Sequence, residues 1–168
     1  MFDYRLSVED AKRELSVLLD EPYLNTDYTK LADVGVCYYV LGNYELASEF
    51  CWKSYNLQPN KCAAANISVI YIKSENIEEL KKAYLRFAED KIPMYPTDGL
   101  KLLAKYNCGD VIKELALLNW GSIVSYLKSL YKCEEYAFCI EMIESRYQFY
   151  KYYYLTGTGL DVFYYWLL

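Results

Sequence analysis

Leu41 to Asn60, LGNYELASEFCWKSYNLQPN, decides how this chain is read. Gly42 and Asn43 form a turn into Tyr44, and Ala47, Cys51, Ser54 and Leu57 follow at three- and four-residue steps. That spacing puts an aromatic and several small or apolar side chains on one helical face, the pattern of a helix buried on one side. Pro59 closes the run, because proline lacks an N–H and clashes with the turn before it.

Just upstream, Tyr28 to Leu41 reads as a partner helix, with Leu31, Val34, Gly35 and Tyr38 on one face. Gly35 is small where the second helix must come close. Together these two helices resemble a tetratricopeptide repeat, which carries large, apolar, small and aromatic residues at those positions. A weaker second unit follows in register. Asn60 can cap a helix from Lys61, Ile67, Ser68 and Tyr71 take the large, small and aromatic places, and Glu75-Asn76 turns into Ile77, Leu80, Tyr84 and Phe87. Ile77 comes 33 residues after Tyr44, close to the family's period of about 34. Leu80 stands where a small residue is usual, and nothing matches Pro59. From Trp120 the likeness partly returns, with Leu127 and Leu130 on one helix and Tyr136, Cys139 and Ile143 on another, joined near Lys132-Cys133-Glu134.

The resemblance implies an all-α, right-handed helix-hairpin solenoid with flanking capping helices. The expected organisation is one helical-repeat domain. Residues 7–20 form a capping helix, started by Ser7 with Glu9 and Asp10 in its first turn. Residues 28–60 and 61–92 are two repeats. Residues 93–119 are an irregular insert with short helices, because Lys91 to Thr97, KIPMYPT, holds two prolines in seven residues. Residues 120–147 are a degenerate third repeat, and 148–168 an aromatic C-terminal segment.

Composition narrows the function classes. Hydrophobic residues make up 54% and charged residues 24%, enough apolar material to fold. The 18 basic and 23 acidic side chains leave a net charge of −5, which disfavours broad binding to phosphate backbones or anionic lipid. Met1-Phe2-Asp3-Tyr4 lacks a basic region followed by an apolar run, so no signal peptide is expected. No stretch is apolar enough to span a membrane. Six scattered cysteines without a Cys-x-x-Cys pair read as free thiols in a reducing, cytoplasmic setting. Histidine is absent, removing the usual general base and the commonest metal ligand. Gly157-Thr158-Gly159 lacks the rest of a phosphate loop. No catalytic constellation, cofactor or metal site is expected.

Carried over by position, the resemblance implies a concave groove lined by Thr29, Ala32, Asp33, Val36, Tyr39 and Val40, then Cys62, Ala65, Asn66, Val69, Ile72 and Lys73. It would take a peptide or helix of another protein, in the manner of an adaptor, small chaperone or inhibitor. The chain's own first helix or tail filling the groove is the competing expectation. Asn66 matches a groove asparagine that holds a peptide carboxylate in some relatives; its more ordinary role is solvated or capping. Phe163, Tyr164, Tyr165 and Trp166, in a chain with 21 tyrosines, suggest a contact surface for a partner or a second copy. Lys81, Lys82, Arg86 and Lys91 form the densest basic cluster, with Glu78 and Glu79 available for pairing. A helical repeat binding RNA or another single strand, or a non-catalytic domain of a larger enzyme, are the alternatives.

Overall fold

Helix follows helix along the chain, and the first five are each begun by a residue that satisfies exposed N–H groups. The structure, a computed structural model, describes the backbone of residues 6–92, 97–118 and 123–154. Ser7 caps α1 (Val8–Leu19), Asp27 caps α2 (Tyr28–Val40) and Asn43 caps α3 (Tyr44–Leu57). Asn60 and Asn76 do the same for α4 (Lys61–Lys73) and α5 (Ile77–Glu89). In every case a side-chain oxygen accepts a backbone N–H of the first turn. Then come α6 (Thr97–Lys105), α7 (Gly109–Leu118), α8 (Ile123–Lys132) and α9 (Tyr136–Tyr154). The fold is all-α, with no strand among the described residues. α7 begins at Gly109, which leaves the Asp110 carboxylate in the first turn beside the helix's positive end. α9 runs on to Tyr154, as neither Gly nor Pro occurs between Tyr136 and Tyr154.

Four turns between helices are built alike. Gly42, Glu75, Asn107 and Glu134 are left-handed, with φ of 78°, 49°, 53° and 60°. The next N–H in each turn closes on a carbonyl of the helix just ended: Asn43 to Tyr38 (2.9 Å), Asn76 to Tyr71 (3.0 Å), Cys108 to Leu103 (3.0 Å) and Glu135 to Leu130 (3.1 Å). This is the Schellman arrangement, which satisfies carbonyls a helix end would otherwise strand. Lys91 ends α5 in the same way, with the Ile92 N–H on the Phe87 carbonyl.

Neighbours in sequence are neighbours in space. α2 packs on α3, α3 on α4 and α4 on α5; α6 meets α7, α7 meets α8, and α8 meets α9. Alternate helices also touch: α2 with α4, α4 with α6, α6 with α8, and α5 with α7. One apolar core runs from Ala47 of α3 to Met142 of α9 and includes Leu100 and Leu103 of α6 and Ile112 and Leu115 of α7. Residues 97–118 hold the expected short helices, α6 and α7, and both pack into that core. A smaller cluster holds α1, through Leu15 and Leu18, against Leu31 and Val34 of α2.

Two glycines set close approaches. A Cβ on Gly35 would collide with Cys51 Sγ and sit 3.1 Å from the Ala47 carbonyl. A Cβ on Gly99 would overlap the ring and hydroxyl of Tyr84. No described helix is long and apolar enough to cross a membrane.

Candidate partner-binding face

The shared turn gives α2, α4, α6 and α8 a common register. Counting back from each left-handed residue, equivalent positions are Asp33, Asn66, Asp98 and Ser125; then Val36, Val69, Lys101 and Lys128; then Val40, Lys73, Lys105 and Lys132. These sets are three and four residues apart, so each helix presents them on one face. Because α2, α4, α6 and α8 touch in that order, the faces are adjacent. Along them the chemistry changes from aliphatic to cationic.

The expected groove residues fall largely on this face. Thr29, Asp33, Cys62 and Lys73 are exposed, whereas Ala32, Val36, Tyr39, Val40, Ala65, Val69 and Ile72 are half-buried. Val36, Tyr39, Val69 and Ile72 also lean on the core, so each has one side for packing and one for contact. Tyr39 is held against Tyr44, ring centroids 5.7 Å apart. Asp33 is exposed as a residue, yet partial burial of its carboxyl, and then the charge of Glu14 on α1, raise its pKa. A second anion there is disfavoured.

Asn66 departs from its more ordinary expectation. It is 2% exposed, and its Oδ1 has no hydrogen-bond partner among the described residues. It is neither solvated nor a cap. An orphaned buried acceptor costs about 1–3 kcal/mol.

Three of the four members of the expected basic cluster are ion-paired, Lys91 being the exception among the described residues. Lys81 pairs with Glu78 at 2.9 Å, Lys82 with Glu79 at 2.6 Å, and Arg86 with Asp90 at 2.8 Å. Two of the three pairs span three residues, not four. Tyr84 and Phe87, between them in sequence, are buried. Phe163, Tyr164, Tyr165 and Trp166 lie outside the described residues.

Lys101, Lys128 and Lys132 are the site residues that sequence reasoning passes over. They line, with Leu127, Ser129 and Tyr131, a depression of about 430 Å³ between α6 and α8. Prolines before α6 hide its register with α2 and α4, and without the register these lysines look like scattered surface charges. The signal was present in the lysines at 73, 105 and 132, which recur at the same distance before each turn.

Thiol chemistry is quiet. All six cysteines are free. Burial pushes the Cys51 thiol up to about 12 and the Cys37 thiol up to about 11. Among the described residues, no three His, Cys, Asp or Glu side chains converge to hold a metal ion. Compared with family models, curated proteins and solved structures, the chain gives no match.

Proposed function

We propose that this chain is a protein-binding module acting without a chemical step. In this reading α2–α3, α4–α5, α6–α7 and α8–α9 are four hairpins stacked as a right-handed solenoid similar to tetratricopeptide repeats, with α1 capping one end. Residues 97–118 are then the third repeat, and 123–154 the fourth. The concave side, made by α2, α4, α6 and α8, receives a peptide or helix of a partner.

The observation that carries the reading is the common register. Four turns of one geometry, and adjacency of alternate helices, line up side chains that, Asn66 apart, are half-buried or exposed instead of packed away. A fold needs buried positions in register; aligned semi-exposed valines serve contact with another chain. The nucleic-acid alternative is weaker, because its best basic cluster is already paired with carboxylates.

The test is affinity capture from the native source followed by mass spectrometry, repeated with Thr29→Arg/Cys62→Arg. Both positions are exposed, so the variant keeps the wild-type far-ultraviolet circular dichroism. Capture of the wild-type partner falls at least tenfold if it lies along this face. Undiminished capture by the folded variant contradicts the groove.

A further inference from the structure

Successive hairpins treat their lysines differently. On α6 each lysine has an acid: Lys101 pairs with Asp98 at 2.9 Å, and Lys105 with Glu75 at 3.2 Å. Glu75 also accepts the Tyr106 hydroxyl at 2.7 Å, and these contacts, Tyr106 first, hold its carboxyl below the usual range. On α8 both acids are gone. Ser125 replaces Asp98 three residues before Lys128, and the turn residue facing Lys132 in register is Asn107 instead of a glutamate. Among the described residues neither Lys128 nor Lys132 has a carboxylate partner.

Two unmatched cations and a third in a weak, exposed pair thus surround one depression, in a chain of net charge −5. Its apolar part is Leu127, half-buried, and Tyr131, which is 65% exposed and braced edge-on by Tyr136 at 5.2 Å. A cationic rim around an apolar floor complements side-chain carboxylates flanking an apolar residue. Three lysines on one patch of an acidic protein suit a short acidic peptide better than a nucleic acid, which engages many phosphates along its length.

We propose that the α6–α8 depression docks an acidic segment of the protein partner, its Asp or Glu side chains pairing with Lys128 and Lys132, with Lys101 released from Asp98 to join them. An apolar side chain of the segment sits between Leu127 and Tyr131. This rests on the protein-binding reading and deepens it by naming the chemistry of the bound segment.

The experiment is a selection from a randomised displayed-peptide library on the purified chain, followed by fluorescence anisotropy of the enriched peptides and of a labelled oligouridylate. Enriched peptides are expected to be rich in Asp and Glu around one apolar residue. They weaken at least tenfold on Lys101→Gln/Lys128→Gln/Lys132→Gln, and tenfold when their own acids become amides. Those three lysines are surface residues, and circular dichroism confirms the variant's fold. Enrichment without acidic bias, or binding indifferent to the lysines, overturns the inference. If such peptides still fail on Thr29→Arg/Cys62→Arg, the protein-binding reading survives alone. Oligouridylate binding that needs the three lysines, with no acidic peptide enriched, overturns the inference in favour of nucleic acid. No enrichment of any peptide and no oligouridylate binding contradicts both readings.

Discussion

The α2–α5 half and the α6–α9 half of this molecule have the same skeleton and different skins. Both halves turn on Schellman closures, and both bury the residue five positions beyond each left-handed residue: Ala47 and Leu80 in one half, Ile112 and Cys139 in the other. Yet only the first half carries a legible small-residue signature, and lysines, a single one (Lys73) among the aligned positions of the first half, dominate those of the second. Helix placement depends on turn geometry and on which positions are buried. It does not require particular residues there, so the outward face is left to diverge.

The sharpest way to break that comparison is to treat the second half as dispensable. Leu103→Ala, at a fully buried position in α6, is expected to cost about 2–5 kcal/mol in urea unfolding, as a well-packed leucine does. A loss under about 1 kcal/mol would mean that α6 is appended to the core instead of being part of it.

The junction between the halves offers a second test. Gly99→Ala forces a methyl into Tyr84 and is expected to destabilise by roughly 1–3 kcal/mol. Tyr84→Phe removes the hydroxyl nearest the clash, so the double variant recovers part of the loss, a coupling that a double-mutant cycle reads directly. Additive effects would place Gly99 away from Tyr84.

Alkaline pH probes the packing of the first half more gently. Cys51, in the first, has its folded pKa raised by burial from 9.0 to about 12. A raised acid contributes full stability below its unfolded pKa and loses it as pH climbs through the folded value. Stability should therefore fall between pH 9 and about 12, and Cys51→Ala should flatten the slope, measured as urea midpoints at several pH values. An unchanged slope would show the thiol ionising as freely when folded as when unfolded.

The smallest effect concerns the turns. Glu134 occupies a left-handed position where glycine is at ease. Glu134→Gly should raise stability by about 1 kcal/mol or less, since relief of strain is partly offset by the freedom glycine gives the unfolded chain. Destabilisation would mean that the glutamate side chain itself supports the turn.

Much of the first half was legible before any coordinates. Asn60 starting α4 and the Glu75-Asn76 turn follow from short-range chemistry, and short-range chemistry is written in adjacent residues. The likeness of α6–α7 to α2–α3 was not legible. Leu100 stands in α6 where Gly35 stands in α2, and Gly99 clears space against Tyr84 of α5 instead of against α7. Close approach between helices is a property of pairs distant in sequence. The site was half legible for the same reason. Val36 and Val69 stand out once two repeats are aligned, whereas Lys101, Lys128 and Lys132 become neighbours only when α6 and α8 are known to touch.

Amide hydrogen exchange followed residue by residue tests most directly whether both halves are one continuous stack. The account predicts that the α6 and α7 amides, from Leu100 to Leu115, are protected to within about tenfold of those in α4 and α5, because they share one core. Exchange of α6 and α7 at rates near those of an open chain, with α2 to α5 still protected, would contradict it.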